Sequence, residues 1–238
     1  METLFDYLLG ILIYGPPILI AITFHEAAHG FIALKLGDDT AKRLERVTFN
    51  PLKHIDRFGT IVLPLFLLLV KAPFLFGYAK PVPVNFRRLL KPRRDMILVA
   101  VAGPATNILL AFASIVLLKI LIFFVGTTAE NLHTTSNFLP VLVQSLIVSV
   151  QFNVVLAVFN MLPLLPLDGG RVIVGLLPPH LSISFEKLER WGMFILIGLL
   201  FIVPMLANQF NIDFNPLSSL IRPIIKVIAE GLLNTVVL

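Results

Sequence analysis

The sequence predicts an α-helical protein that crosses a membrane several times, and three observations support this. Of its 238 residues, 57% are hydrophobic and only 14% are charged, whereas a soluble domain carries about 25% charged residues. Four apolar stretches approach or exceed the length of about 20 residues that a membrane helix needs. The basic residues gather in loops beside these stretches, as they do in membrane proteins. Lipid must therefore cover much of the surface.

The absence of cysteine limits the kind of metal site that the protein can have, and the placement of its positive charge bears on its partners. A chain without cysteine has no disulfides and no metal site built on thiolates. Any bound metal must therefore use histidine, carboxylate or amide ligands. The net charge of +5 comes from residues next to apolar spans, where basic side chains set the orientation of a membrane protein. We therefore expect no nucleic-acid partner.

The four predicted spans follow one another along the whole chain. They comprise about residues 4–36, 96–125, 138–162 and 191–207. Residues 61–77 are also apolar, but this segment is short and is interrupted by two prolines and a lysine. The tail contains several charged residues, so it either crosses the membrane or lies in the interface.

The distribution of lysine and arginine predicts the orientation. These residues are concentrated in 35–57 and 87–94 and are absent from 126–137 and 208–216. By the positive-inside rule, the basic loops are cytoplasmic, and the N-terminus and the other two loops lie outside. Residues 61–77 have basic loops on both sides, so we expect them to enter the membrane and return to the same face. Irregular backbone at that depth is tolerated only against protein or a water-filled cavity.

Two loop segments on the predicted cytoplasmic side, 46–50 and 80–85, have the pattern of short strands. In the second segment, Pro81 and Pro83 alternate with other residues. The two missing backbone donors therefore belong to one edge. We expect a strand that donates only through its other edge, as a protected strand or a peptide-receiving strand would.

The strongest chemical signal is the pattern His25-Glu26-Ala-Ala-His29 in the first span. Residues four apart share one face of a helix, so both imidazoles can bind one metal ion. Glu26 lies beside them and can take a proton from water that the metal activates. Two histidines that merely bond to nearby carbonyls are the alternative, but ionisable residues inside an apolar span are costly and usually functional. The pattern therefore predicts a metal site.

A catalytic zinc site uses three protein ligands and leaves one position for water, so a third ligand must come from elsewhere. The candidates include several carboxylates and His54, His133 and His180. Asp168 is favoured because it follows an apolar span and has no charged neighbour before Arg171. The two glycines after Asp168 also let another backbone come close. An exposed Asp-Gly-Gly turn is the alternative, although Asp168 and His25 are both expected near the cytoplasmic ends of their spans.

These motifs together resemble those of the site-2 protease family of intramembrane metalloproteases. Three motifs occur in the family's order: His-Glu-x-x-His at 25–29, Gly-Pro-x-x-Asn at 103–107 and Asn-x-x-Pro-x-x-x-Leu-Asp-Gly at 160–169. The stretches 50–56 and 77–85 are similar to compact bacterial members. The match runs from about residue 20 to residue 175. Glu45 and Arg57 stand where the family pattern has glycine and proline, a difference that concerns the loop and not the chemistry.

The resemblance implies an all-α membrane fold with a three-helix catalytic core. Short strands or a re-entrant loop would lie on the cytoplasmic side, and one or two accessory helices would follow. Residues 1–175 would form the core, and 176–238 would be accessory helices of the same membrane domain. One zinc ion per chain would be held by His25, His29 and Asp168, with Glu26 as the general base. We expect no PDZ module, because 126–137 is too short to contain one, and no nucleotide-sensing module.

The activity that the resemblance implies is hydrolysis of peptide bonds in or near transmembrane segments of other membrane proteins. The enzyme would lie in the cell membrane, with its site near the cytoplasmic side. Asn160 could orient the substrate backbone or stabilise an oxyanion, and Asn107 could contact substrate or join two helices. Lys80, Val82 and Val84 would pair with the unwound substrate.

Two other functions are compatible with a membrane protein that binds metal. A metal-ion transporter would be expected to continue its polar residues across the membrane, but the outer half of this chain has few ionisable groups. A non-catalytic scaffold that binds membrane helices would not need Glu26, which is present. Both observations favour the protease. The sequence leaves the substrate and the oligomeric state open.

Overall fold

The computed structural model describes residues 4–69, 78–125, 138–212 and 214–237. In chain order the helices are α1 (Leu4–Lys35), α2 (Thr40–Arg43), α3 (Leu63–Leu69), α4 (Pro92–Val125), α5 (Leu139–Asn160), α6 (Asp168–Leu176), α7 (Pro179–Glu186), α8 (Glu189–Ile197), α9 (Val203–Gln209) and α10 (Pro216–Val237). Two π-helical segments precede α3 and α9, at Arg57–Val62 and Gly198–Ile202. Short 3-10 turns occur at Pro51–Lys53 and Phe86–Arg88.

Four helical segments are long and apolar enough to cross a membrane. They are Leu8–Lys35, Pro92–Phe124, Leu139–Asn160 and Glu189–Gln209. The last of these combines α8, a π-helical segment and α9. Large apolar side chains on these segments are exposed, including Phe123 at 80%, as expected of residues that face lipid. The prediction of four helices of membrane-spanning length is confirmed.

The ends of α1 and α4 follow from local sequence. Helix α1 stops at Gly37, whose φ of 106° is a left-handed value that glycine adopts without strain. Helix α4 begins with Pro92. Proline suits this position, because an N–H at the start of a helix has no hydrogen-bond partner within the helix. The Asp95 carboxylate then accepts a hydrogen bond from the Lys91 N–H at 2.7 Å, which caps the first turn.

Helices α1, α4 and α5 pack against one another, and α6 packs against α4. Ala33 and Val99 belong to the buried cluster between α1 and α4. Ala111 of α4 and Val154 of α5 are fully buried and meet Ala229 of α10. These small and β-branched side chains let the helix backbones approach closely, so little space remains between the three helices.

The segments 46–50 and 80–85 are not β-strands, contrary to the sequence prediction, and no strand occurs in the described ranges. The backbone N–H groups of Lys80 and Val82 bond to acceptors outside segment 46–50. Lys80 N–H donates to His54 O at 2.9 Å, and Val82 N–H donates to Glu26 Oε2 at 2.7 Å. Arg46 reaches across with its guanidinium and donates to Lys80 O at 2.7 Å. The two segments are thus joined through a side chain, and no backbone ladder forms.

The region around 61–77 is described only in part. The π-helical segment Arg57–Val62 continues into α3, and residues 70–77 lie outside the described residues, as does the predicted outer loop 126–137. On either side of the region, Tyr78 N–H donates to Gly59 O at 3.1 Å, and Thr60 Oγ1 donates to Tyr78 O at 2.9 Å. The chain before the region therefore contacts the chain after it. The predicted re-entry itself stays a prediction.

Candidate metal centre

His25 and His29 lie one helical turn apart on α1 and face the interior of the bundle. Both residues are buried, with exposed fractions of 5% and 9%. The spacing of four residues puts the two imidazoles on one face of the helix. Their Nε2 atoms lie 3.1 Å apart, which is close enough for both to contact one ion.

Asp168, the first residue of α6, meets the two histidines from the opposite side. Its Oδ2 lies 3.3 Å from His25 Nε2, and its Oδ1 lies 3.4 Å from His29 Nε2. One ligand atom from each residue lies within 4.8 Å of the other two. The structure thus brings together the three residues that the sequence proposes as metal ligands.

The chemistry of these three groups fits a cation. Asp168 Oδ2 is buried and has no hydrogen-bond partner in the part of the chain that the structure describes. Burial alone would raise the pKa of Asp168, but the two imidazoles beside it lower the pKa to about 2, so the carboxyl is anionic at neutral pH. Two imidazole nitrogens and a carboxylate oxygen form a ligand set that suits a divalent transition metal.

Gly103 on α4 provides the space that the imidazoles occupy. A Cβ at this position would lie 2.5 Å from His29 Nε2 and 2.6 Å from His25 Cε1, well inside van der Waals contact. In the sequence this residue was only the first position of a family motif. Its physical role is to let α4 lie against the metal-binding face of α1.

The Asp-Gly-Gly sequence begins a packed helix and is not an exposed turn. Gly169 and Gly170 are buried, and a Cβ at Gly170 would lie 2.5 Å from Leu165 N. Farther along α6, a Cβ at Gly175 would lie 2.8 Å from Arg93 O on α4. The glycines therefore let α6 pack against the preceding loop and against α4, which places Asp168 beside the histidines.

The outer nitrogen of each imidazole is hydrogen bonded to α4. His29 Nδ1 lies 2.7 Å from the backbone oxygen of Val99, and His25 Nδ1 lies 2.6 Å from Asn107 Oδ1. Such partners hold a metal-ligating histidine in one orientation. Asn107 is fully buried and bonds to His25 on the side away from the candidate ligands. Of the two roles that the sequence offered, this contact fits the joining of two helices.

Glu26 lies in the same cavity as the candidate ligands. The cavity has a volume of about 360 Å³, and its polar lining includes the three candidate ligands together with Glu26, Asn160 and Arg171. The Val82 N–H is the group that contacts the Glu26 carboxylate, at 2.7 Å. The sequence did not reveal this contact, because it joins segments 56 positions apart.

The residues predicted to bind substrate divide into two groups. Asn160, Val82 and Val84 line the cavity, although the Asn160 Nδ2 donates to Leu156 O within its own helix at 3.0 Å. Asn107 and Lys80 do not line it. The backbone N–H of Lys80 donates to His54 O, and its backbone oxygen accepts from Arg46.

Arg171 is a cavity residue that the sequence did not single out as functional. It lies one turn after Asp168 on α6 and pairs with Glu189, the first residue of α8. Its guanidinium carbon lies 5.3 Å from the centre of the Phe86 ring. Arg171 and Phe86 also line an adjoining cavity of about 580 Å³, so they mark the place where the two cavities meet. The sequence signal that could have identified Arg171 was its spacing of three residues from Asp168.

The other histidines do not join the metal group in the described residues. His54 is buried, and its Nε2 lies 2.9 Å from Thr48 O. His180 is exposed at the start of α7, and His133 lies outside the described residues. His54 and His180, which the sequence offered as alternatives to Asp168, therefore do not lie where a third metal ligand is needed.

Comparisons with known proteins give a consistent result. A family model described as peptidase family M50 matches residues 16–203. A Bacillus subtilis (strain 168) protein named "Putative zinc metalloprotease YwhC" is 42% identical over 188 residues, which cover 79% of each chain. A Mycolicibacterium smegmatis protein named "Putative zinc metalloprotease Rip2" is 28% identical over 196 residues, which cover 81% of this chain and 67% of that protein. No solved structure gives a significant match.

Proposed function

The chain belongs to peptidase family M50, and on that premise we propose that it is a zinc metalloprotease that hydrolyses peptide bonds in or near the transmembrane segments of other membrane proteins. The observation that carries the proposal is the convergence of three candidate ligand atoms within 4.8 Å. This convergence occurs in a cavity that also contains Glu26. Two of the ligands and Glu26 lie in a helix of membrane-spanning length.

His25, His29 and Asp168 would hold the zinc ion. Two imidazole nitrogens and one carboxylate oxygen leave a fourth position open, as catalytic zinc sites do. When bound, zinc lowers the pKa of water and polarises the carbonyl of the scissile bond. Gly103 keeps the space between the imidazoles and α4 free of side-chain atoms, so the two Nε2 atoms remain available.

Glu26 is the residue that we propose to move the proton. Its Oε2 accepts the hydrogen bond from Val82 N–H, which holds the carboxylate in the cavity. Its Oε1 would accept a proton from water and then deliver it to the leaving amine nitrogen. A scaffold that only binds membrane helices would have no use for a carboxylate in this position.

The substrate would lie along residues 81–84 in an extended conformation. A transmembrane helix must unwind first, because its backbone carbonyls are hydrogen bonded. The N–H groups of Lys80 and Val82 are already bonded to His54 and Glu26. We therefore propose pairing through the carbonyl oxygens of Pro81 and Pro83, which would accept hydrogen bonds from substrate N–H groups. The segment would thus accept hydrogen bonds from the substrate, whereas the sequence predicted a strand that donates them.

The site would lie near the cytoplasmic side of the cell membrane, with the N-terminus outside. The basic loops 35–57 and 87–94 support this orientation. Hydrogen bonds between Tyr78 and the pair Gly59 and Thr60 support re-entry of 61–77, because a single crossing of ~30 Å would separate the two flanks.

The metal content of the purified protein tests the proposed function. We expect about one zinc ion per chain, since one set of three ligands converges. His25→Ala and Asp168→Ala should each lower the zinc content and abolish cleavage of a model single-span substrate. His54→Ala is the matched control, because His54 is a buried histidine outside the metal group. Full zinc retention in Asp168→Ala would remove that residue from the site.

Thiol labelling tests the orientation and the re-entry. The chain has no cysteine, so single cysteines at positions 53, 88 and 208 give no background. An impermeant reagent added to intact cells should label position 208 and spare positions 53 and 88, because basic loops remain in the cytoplasm. Labelling of only one of positions 53 and 88 would show that 61–77 crosses the membrane.

A further inference from the structure

A chain of hydrogen bonds begins on α5 and ends at His25. Its first member is Asn153, whose Nδ2 donates to the backbone oxygen of Ser149 at 2.8 Å. A backbone carbonyl can only accept, so this contact fixes which end of the Asn153 amide carries the nitrogen. The Asn153 Oδ1 then faces α4, where it accepts from Asn107 Nδ2 at 2.8 Å.

The amide of Asn107 is oriented by its acceptors in the same way. Its Nδ2 donates to Asn153 Oδ1 and also to Ala21 O at 3.2 Å, so both of its hydrogens are used. Its Oδ1 is left facing His25 Nδ1 at 2.6 Å. An amide oxygen can only accept, and His25 Nδ1 must therefore carry the proton. In a neutral imidazole the lone pair then lies on Nε2, the atom nearest to His29 and Asp168.

Burial makes these orientations costly to reverse. Asn107 and Asn153 are both fully buried, and both belong to helices of membrane-spanning length. A flipped Asn153 amide would place its oxygen against Ser149 O and its NH₂ group against the Asn107 NH₂ group. Unpaired polar groups in such surroundings are strongly unfavourable. The network therefore has one satisfied arrangement.

The two histidines differ in what orients them. His29 Nδ1 bonds to Val99 O, a backbone acceptor that cannot rotate. His25 Nδ1 bonds to a side-chain amide that could present either end, so His25 depends on the two acceptors that orient Asn107, which are Ala21 O at 3.2 Å and the closer Asn153 Oδ1 at 2.8 Å. That requirement explains a buried Asn153, which belongs to none of the sequence motifs and does not line the cavity.

We propose that Asn153 is a positioning residue of the metal centre. Through Asn107 it holds His25 in the tautomer protonated at Nδ1, so that Nε2 is free to bind zinc. The effect of Asn153 on zinc binding rests on the proposed function, whereas the His25 tautomer can be measured in metal-free protein. Direct hydrogen-bond partners of metal-ligating histidines, the place that Asn107 has here, typically contribute roughly tenfold or more to metal affinity.

The experiment compares wild type with Asn153→Leu, which keeps the branched shape of the side chain and removes its hydrogen bonds to Asn107 and Ser149. Ser114→Ala is the matched control, because it removes a hydrogen bond between α4 and α5 that joins Ser114 Oγ and Ser149 Oγ, 2.8 Å apart. It leaves the bond from Asn153 to Ser149 O in place. One readout is zinc affinity by chelator competition. The other is the ¹⁵N NMR spectrum of histidine-labelled, metal-free protein, in which the Nδ1 and Nε2 shifts of a neutral imidazole report its tautomer.

For Asn153→Leu we expect roughly tenfold weaker zinc binding and a detectable population of the second His25 tautomer, because only Ala21 O, at 3.2 Å, would still orient Asn107. The His29 tautomer should be unchanged. Ser114→Ala should match wild type in both readouts. An unchanged His25 tautomer in Asn153→Leu would overturn the proposal. Asn153→Ala gives the same readings if the leucine variant does not fold. A wild type that binds no zinc would contradict the proposed function, whereas the tautomer measurement would still decide the role of Asn153.

Discussion

The helix bundle and the segment 78–85 form opposite sides of one cavity, and they are held in different ways. In the bundle, each candidate histidine ligand is buried and its outer nitrogen is bonded to a group on α4. In segment 78–85, Tyr78, Lys80 and Pro81 are exposed. The segment is attached by a few hydrogen bonds, including two at Tyr78, two at Lys80 and one from Val82 to Glu26.

This difference indicates how the cavity works. The ligand side is built into membrane-spanning helices, where lost hydrogen bonds cannot be replaced by water, so its geometry is fixed. The hydrogen bonds of Tyr78 and Lys80 lie at exposed residues, where water or an incoming peptide can replace them. Val82, by contrast, is buried and holds Glu26. We infer that the ligand side stays in place during substrate binding and that segment 78–85 adjusts.

The largest expected effect comes from crowding the rigid side. Gly103→Ala places a Cβ 2.5 Å from His29 Nε2, and neither α1 nor α4 can move away without disrupting their packing. We expect zinc affinity to fall by more than the roughly 100-fold upper range seen when an outer partner of a ligand is lost. Gly10→Ala is the control, since a Cβ there meets nothing within 4 Å. Equal zinc binding by the two variants would show that the ligand side is not rigid.

A smaller effect is expected from a change in segment 78–85. Val82→Pro removes the N–H that donates to Glu26, and a hydrogen bond to a charged group contributes roughly 1.5–3 kcal/mol. We expect zinc affinity to remain as in wild type, while the rate of substrate cleavage falls about tenfold, a change of about 1.4 kcal/mol. Val82→Ala keeps the N–H and should cleave faster than Val82→Pro. Loss of zinc from Val82→Pro would contradict the division into two sides.

The sequence was sufficient for features that depend on a single helix. The four spans follow from hydrophobic length, because lipid requires about 20 apolar residues. The shared face of His25 and His29 follows from the helical repeat. Asp168 needed more than periodicity, since an Asp-Gly-Gly turn is common. Its position after an apolar span favoured it, and the family resemblance implied the same residue.

The sequence was insufficient where polar groups choose partners across the fold. Pro81 and Pro83 showed which backbone donors were missing, but not that the Val82 N–H would bond to Glu26. Asn107 in a span indicated a hydrogen bond, and substrate was one candidate partner. The structure gives it His25 and Asn153 instead. Such choices depend on the packing of several helices, which no local pattern contains.

Glu26 lies where the two sides meet, so Glu26→Gln tests the account most directly. The amide keeps the size of the side chain but cannot accept the proton that general-base catalysis requires. We predict that purified Glu26→Gln binds zinc as wild type does, because His25, His29 and Asp168 are unchanged, and that its cleavage of a model single-span substrate is nearly abolished. Cleavage by Glu26→Gln at the wild-type rate would contradict the proposed mechanism.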